Sequence, residues 1–430
     1  MDKVILAYSG GLDTSVAIKW LHETYNLEVI CVTVDVGNER DFESIQEKAL
    51  RTGAVKAYVY NAKDDFVTFF VWPSLQAGTI YEGQYPLATA LARPLIAKIM
   101  VDYARQEGAT YVAHGCTGKG NDQVRFDVSF NALAPELKIV APVREWRWTR
   151  EEEILYAQKH GIPVPVTVGS PYSVDQNLWG RSIEAGVLED PWAEPPEDVY
   201  AWTTSARHTP MEPSYVEIEF AQGIPTALDG EHLDGPTLIA RLNDLAGSHG
   251  IGRIDHVENR FVGIKSREIY ECPAGVVLHQ AHAALETMTL TRDQMRFKQM
   301  VSQELSTLIY NGFWFSAHTQ DLMSYVCSTQ RFVTGTVRMK LYKEKCTVVG
   351  RKAENSLYNE ALATYGEGDL FDHAAAVGFI KVAGMAVVNQ ASSQLLLGAG
   401  ATERMMRLAA GQPLDEDVER VEGREQVADD

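Results

Sequence analysis

The chain has 430 residues, 45% of them apolar, which is ordinary for a soluble globular protein and enough for about two or three domains. Acidic residues outnumber basic ones 58 to 39, a net charge of −19, so a nucleic-acid backbone is a disfavoured partner, although a local basic patch is not excluded. No apolar run is expected to reach the roughly 18 residues of a membrane span, the N-terminus runs into a strand without a signal sequence, and five scattered cysteines with no CxxC pair fit reduced thiols in a cytoplasmic protein.

Val4-Ile5-Leu6 reads as a buried strand, and Val16, Trp20 and Leu21 fall on one face of a following helix. Between them lies Ala7-Tyr8-Ser9-Gly10-Gly11-Leu12-Asp13-Thr14-Ser15. The two glycines allow positive φ and close approach of a ligand to bare backbone. Amides of the turn and first helical turn carry partial positive charge, and Ser9, Thr14 and Ser15 add hydroxyls, so the stretch predicts a phosphate site. It is not a Walker A loop, which needs four residues between Gly and Gly-Lys-Ser/Thr.

Further strands are expected at Val29–Val34, Ala57–Tyr60, Tyr111–His114 and Lys138–Ala141, with helices near Ser15–Tyr25, Phe42–Arg51, Ala88–Gln106 and Arg150–His160. Alternation of this kind predicts an α/β domain with an open, doubly wound, mostly parallel sheet, its ligands outside the strands' C-terminal ends. Thr33, at the exit of the second strand, should line the same crevice. A boundary is expected where Ile162–Val166 and Gly169-Ser170-Pro171 interrupt the pattern, giving a nucleotide-binding domain over 1–168.

An α+β region over 169–371 follows, with strands near Tyr215–Phe220, Val333–Leu341 and Lys345–Val349 and helices near Gly235–His249 and Asp293–Tyr310. Residues 372–411 form an apolar helical arm, whose Phe379, Ile380, Val382, Met385, Val388 and Leu395 have little domain left to pack on; a partner subunit is the favoured cover. The tail, 412–430, is expected to fray, with eight acidic and two basic residues from Asp415 onward.

Four further stretches carry polar groups in suggestive company. His114–Phe126 has three glycines together with Thr117, Lys119, Asn121, Asp122 and Arg125, a mixed set that suits a zwitterion better than a phosphate alone. Tyr81–Pro94 reads as a loop and helix start whose Pro94 is tolerable near the first turn or at a kink. Ser173–Ser182 and Val257–Gly275 contain Ser173, Ser182, Glu258 and Tyr270, ordinary polar positions on spacing alone. His279, His282 and Glu286 share a helix face but read as an amphipathic helix, since HExxH is absent. Ser9 lacks the flanking glycine of a hydrolase elbow, and Gly398-Ala399-Gly400 lacks a dinucleotide fingerprint's third glycine and strand.

The run Ala7–Ser15 resembles the pyrophosphate-binding loop of the ATP pyrophosphatases, in which a substrate attacks the α-phosphate and becomes adenylated. Together with Tyr81–Pro94, His114–Phe126, Ser173–Ser182 and Val257–Gly275, in that order, it resembles the argininosuccinate synthase family from the first strand to at least Tyr358. The resemblance implies that citrulline, aspartate and ATP, with Mg²⁺, give argininosuccinate, AMP and pyrophosphate. It implies that ATP is held by Ala7, Tyr8, Ser9, Gly10, Gly11, Leu12, Asp13, Thr14, Ser15, Thr33 and Gly115. Aspartate would meet Thr117, Asn121 and Asp122, and citrulline Tyr85, Asn121, Arg125, Ser173, Ser182, Glu258 and Tyr270. Many members have a serine where this chain has Ala90, and Thr89 is the neighbour that could replace its citrulline contact. Asp13, to orient the Mg-pyrophosphate, together with Asp122 and Arg125, is expected to serve the chemistry itself. No side chain is an obvious covalent catalyst, so positioning and charge stabilisation must supply the rate. A homotetramer is implied. The rivals are a tRNA thiolase, which should show a cysteine pair and a basic face, an amidotransferase-type synthetase, which needs a glutaminase module, and a nucleotide-binding regulator without turnover.

Overall fold

The computed structural model describes residues 1–38, 40–118, 120–163, 172–395 and 400–412. The expected boundary at 168/169, Lys119, Leu397 to Ala399 and the tail beyond 412 lie outside these residues. The chain divides into a compact unit Met1–Leu357 and a second that starts at Tyr358.

The first unit opens with β1 (Asp2–Ala7), β2 (Leu27–Asp35), β3 (Lys56–Asn61), β4 (Tyr111–Ala113) and β5 (Lys138–Val140). They form a parallel sheet in the order β3-β2-β1-β4-β5. Alternate residues of β1 serve two cores. Ile5 packs with Leu91 and Leu95 of the helix Ala88–Glu107. Val4 and Leu6 pack with Ala17, Ile18 and Leu21 of the helix Leu12–Tyr25. A strand covered on both faces has no polar side to show, which is why the sequence here is a continuous apolar run. Strand order reverses between β1 and β4, so the crevice at their C-terminal ends receives the Gly10-Gly11 turn and the loop that starts at His114.

Pro94 lies inside the helix Ala88–Glu107, past its first turn, where it cannot donate to the Ala90 carbonyl. Ala90 itself is buried in the core.

The rest of the first unit builds two antiparallel sheets. β6 (Ser173–Asn177) and β7 (Gly180–Glu184) are followed by β8 (Ser214–Ala221), β9 (Ile224–Leu228) and β10 (Glu231–His232), then β11 (Arg253–Asn259), β12 (Lys265–Glu271), β13 (Gly335–Tyr342) and β14 (Lys345–Ala353). One sheet runs β11-β12-β7-β6 and the other β10-β9-β8-β13-β14. The helix Pro273–Thr289 packs Val277, Leu278 and Ala281 in the same core as Val337, Met339 and Leu341 of β13. Its His279, His282 and Glu286 are buried as part of a helix face, as expected. Gln330 joins His282 Nε2 at 2.8 Å to Glu286, which also pairs with Lys298 at 3.0 Å. Burial, with His282 and Lys298 close by, holds the His279 imidazole down at about 3, so it is neutral.

The second unit contains the helix His373–Gln390, capped by Asp372, and the helix Ala401–Ala409. Phe379, Ile380, Val382, Met385 and Val388 are all exposed. By length and composition His373–Leu395 is apolar enough to cross a membrane, which corrects the expectation that no run approaches a span. The helix is interrupted by a single lysine, Lys381, and Gly384 and small residues keep the run going without further charge.

Candidate active site

The turn after β1 is shaped by Gly10, at φ +77°, where an added Cβ would lie 3.0 Å from Ile45 Cγ1. Gly11 is the N-cap of Leu12–Tyr25, and no side chain caps that helix. The first-turn amides are thus left to water or a ligand. The hydroxyls around the turn bond to one another: Ser9 Oγ meets Thr14 Oγ1 at 3.2 Å, and Ser15 Oγ donates to the Gly11 carbonyl at 2.7 Å. Ser15 is fully buried, so its hydroxyl braces the loop from within.

Three cations surround this acidic protein's loop. Arg40 donates to the Ser9 carbonyl at 2.9 Å, Lys48 to the Gly10 carbonyl at 2.8 Å, and Arg150 to Asp13 Oδ1 at 2.7 Å. Burial lowers the Lys48 ammonium. Glu153 lies beside Arg150, and burial with the neighbouring Asp13 carboxylate pushes its carboxyl up to about 7.

A cleft of about 1000 Å³ opens here, lined by Ala7, Tyr8, Ser9, Gly11, Leu12, Asp13 and Thr14, together with Thr33 and Gly115. Of the loop residues expected to hold a nucleotide, Gly10 and Ser15 alone are absent from its wall. Gly115 approaches so closely that a Cβ there would sit 2.9 Å from Thr14 Cγ2.

A second cleft of about 420 Å³ collects Tyr85, Thr89, Thr117, Asn121, Asp122 and Arg125, together with Ser173, Ser182, Glu258 and Tyr270. These residues come from four separate stretches of chain. Tyr85 stacks on Tyr270 with ring centroids 3.9 Å apart, and Tyr81 stacks on Tyr310 at 3.6 Å. Glu258 accepts from both Tyr270, at 2.6 Å, and Tyr310. Asn121 donates to the Tyr310 hydroxyl at 2.8 Å and accepts from the Phe261 amide at 2.9 Å. The Thr89 hydroxyl is shared with Tyr85 at 2.9 Å.

Asp122, at the start of the helix Asp122–Leu133, sits between two arginines. Its Oδ2 accepts from Arg93 Nε at 3.0 Å and Nη2 at 2.7 Å, and its Oδ1 from Arg125 Nη1 at 2.8 Å. Burial alone would raise this carboxyl, but the Arg93 and Arg125 guanidinium groups hold it at about 2. Arg93 also pairs with Asp175. At the far wall Arg260 bonds Glu184 and Glu268, each at 2.5 Å. Burial, with the Glu184 and Glu258 carboxylates close, pushes Glu268 up to about 9 in spite of Arg260.

Sequence reasoning missed Arg40, Lys48, Arg93, Arg150, Asp175, Arg260, Glu268 and Tyr310. Arg93 left one usable signal, a charge flanked by Leu91-Ala92 and Pro94-Leu95 on an otherwise apolar helix. For Tyr310, the last residue of a helix, no local signal existed.

A glycine turn on an uncapped helix at a parallel sheet's switch point, opening beside a cleft of paired charges and aromatic stacks, suits an enzyme that holds a phosphate-bearing ligand beside small polar ones, as the resemblance of Ala7–Ser15 to the ATP pyrophosphatase loop implies. Two family models cover the chain: "Arginosuccinate synthase N-terminal HUP domain" over residues 3–163 and "Arginosuccinate synthase C-terminal domain" over 172–389. The chain belongs to the argininosuccinate synthase family. It is similar to an argininosuccinate synthase of Dehalococcoides mccartyi strain BAV1, 61% identical over 92% of this chain and 98% of that protein. Relatives of the same name from Oceanobacillus iheyensis and Brevibacillus brevis are 57% and 58% identical, each over 89% of this chain and 92% of theirs. A solved U34-tRNA thiolase from Methanococcus maripaludis aligns at 18% identity over 39% of this chain and 61% of its own, with a TM-score of 0.25, too low to bear on function.

Proposed function

We propose that the larger cleft holds ATP and the smaller one citrulline and aspartate, with the two meeting where adenylation takes place. The chain is an argininosuccinate synthase, joining citrulline to aspartate with conversion of ATP to AMP and pyrophosphate, a step of arginine biosynthesis. The observation that carries the placement is that Ser9, Arg93, Gly115 and Ser173 line both clefts.

In the first step the citrulline ureido oxygen forms a bond to the α-phosphorus, and the bond to the bridging oxygen breaks with its electron pair leaving on pyrophosphate. In the second, the aspartate ammonium gives up one proton to solvent, the freed lone pair bonds to the ureido carbon, the carbon–oxygen bond breaks, AMP departs with that bond's electron pair, and the nitrogen releases a second proton to solvent. Ser9, the amides of Gly11 and Leu12, Arg40 and Arg150 surround the position of the departing pyrophosphate, where preorganised donors lower the barrier most. Tyr85, Glu258, Tyr270, Ser173 and Ser182 orient citrulline, with Thr89 in place of the serine lost at Ala90. Arg125 takes its carboxylate. Thr117 and Asn121 take the carboxylates of aspartate, and Asp122 its ammonium.

Among the described residues no cluster of three or more His, Cys, Asp or Glu forms a metal cage. Mg²⁺ is commonly bound through one or two carboxylates and substrate phosphates rather than by an all-protein site. Asp13, partly exposed in the nucleotide cleft, would hold the ion, which would neutralise phosphate charge.

We further propose a domain division at 168/169 and 371/372, a cytoplasmic location, and a homotetramer in which the apolar helix from Phe379 onward is covered by sister subunits. A helix apolar on all sides needs more than one neighbour, and Lys381 within the run argues for a protein neighbour over lipid.

The test uses citrulline carrying ¹⁸O in its ureido group. Pyrophosphate should form from ATP only when citrulline is present, and with aspartate added the label should appear in AMP. Label in pyrophosphate, or in neither product, overturns the mechanism.

A further inference from the structure

The arginine where the two clefts meet belongs to no expected substrate set. Arg93 is the one cation among the described residues that lines both. It is carried by the helix Ala88–Glu107, one residue before Pro94, so its backbone belongs to a rigid, buried element. Two carboxylates from different parts of the fold, Asp122 and Asp175, hold its Nε and Nη2. No described residue accepts from Nη1. A guanidinium so braced presents the two N–H donors of Nη1 without first having to be ordered, a preset cationic donor for a phosphate oxygen.

We propose that Arg93 is a catalytic residue that contacts a non-bridging oxygen of the ATP α-phosphate through both steps. This rests on the reading that nucleotide and citrulline occupy the two clefts. If they do, the atom that changes partners in the first step, the α-phosphorus, must lie at their junction. The other cations near the nucleotide sit elsewhere: Arg40, Lys48 and Arg150 contact Ser9, Gly10 and Asp13, on the glycine turn. Arg40 and Arg150 line the larger cleft on that side, Lys48 lines neither cleft, and none of the three lines the second. Arg93 remains for the α-phosphoryl oxygens, where charge builds as the ureido oxygen adds. The same phosphoryl group leaves in the second step as AMP, and a cation at that place stabilises its departure as well. Arg93 therefore serves two leaving events while the pyrophosphate-side cations serve one.

A purely structural role is the competing account, in which Arg93 only braces Asp122 and Asp175. The two accounts separate with the Rp and Sp diastereomers of ATPαS, in which sulfur replaces one or the other non-bridging α-oxygen. Citrulline-dependent pyrophosphate formation is measured for each diastereomer with the full chain, Arg93→Met and Arg93→Lys. The unaltered enzyme should prefer one diastereomer. Arg93→Met should lose roughly 10²-fold or more in kcat/KM with ATP, as for other preorganised donors, and its diastereomer preference should shrink by roughly tenfold or more. Arg93→Lys, which keeps the charge and loses the braced Nη1 donor, should fall between, and it supplies the ratio should Arg93→Met not fold. Equal losses for both diastereomers, with the preference unchanged in both variants, overturn the contact. So does an unaltered enzyme that shows no preference. Absence of any citrulline-dependent pyrophosphate from the unaltered chain overturns the underlying placement of substrates, and is recognisable because it precedes any variant.

Discussion

Replacing Asp122 by Asn should separate the two chemical steps. The carboxylate accepts three hydrogen bonds, from Arg93 Nε and Nη2 and from Arg125 Nη1. An ionised carboxylate offers about four acceptor positions, so room remains for an ammonium. A hydrogen bond to a charged group contributes about 1.5–3 kcal/mol, and ~1.4 kcal/mol is tenfold in rate. Argininosuccinate formation by Asp122→Asn should therefore fall about 10- to 150-fold further than citrulline-dependent exchange of labelled pyrophosphate into ATP, which itself drops to the extent that the amide holds Arg93 less firmly. A stability signature accompanies the kinetic one. The carboxyl drops from 3.8 unfolded to about 2 in the folded protein. A depressed value stabilises the fold above the unfolded value and loses that effect as pH falls through the folded one. The wild-type advantage over Asp122→Asn in urea denaturation should be about 2 kcal/mol at neutral pH and disappear between about pH 5 and pH 2. Exchange and product formation falling in parallel would refute the assignment to the second substrate, leaving Asp122 a brace for its two arginines.

Gly10→Ala places a side chain at φ +77° against Ile45 and should cost about 1–2 kcal/mol in stability, with weaker protection by MgATP in thermal melts; an unchanged melt with and without nucleotide would refute the role of that turn. Glu258→Gln leaves two buried tyrosine hydroxyls facing an amide and should raise the citrulline KM by about tenfold with little change in the ATP KM, as initial rates would show; a matching rise for ATP would mean that the two clefts are not separate. Truncation after Gly378 should reduce the particle mass seen by light scattering, whereas an unchanged oligomer would return the apolar helix to its own subunit.

The parallel sheet was legible because strands covered on both faces spell themselves out, as Val4-Ile5-Leu6 and Val29–Val34 do. The second sheet hid for the opposite reason. In β11 the buried positions are His256 and Glu258, while Val257 points outward and is 46% exposed. A strand whose inner face lines a polar cleft reverses the apolar-in pattern, and so reads as surface loop. The residues expected at the site on resemblance do gather, because glycine turns and hydroxyls form contiguous motifs. Their charge partners were illegible: Arg93 meets Asp175 across 82 positions and Arg260 meets Glu184 across 76, distances that only the fold closes. The apolar run from His373 was visible as helix, but its full length was not, since Lys381, Asn389 and Gln390 interrupt the run by eye without lowering its average below that of a membrane span.

The helix that starts at Leu12 has no side chain at its N-terminus to satisfy its first amides. A missing cap of this kind weakens a helix by about 1 kcal/mol. A phosphate group seated there would complete the helix, and a bound nucleotide would then act as a piece of secondary structure that the chain borrows. That helix also forms one wall of the core behind β1, through Ala17, Ile18 and Leu21. With the nucleotide seated there as proposed, the firmness of the sheet would be tied to adenylate supply, and the nucleotide-free protein should be softer and more open to proteolysis than the MgATP-bound one.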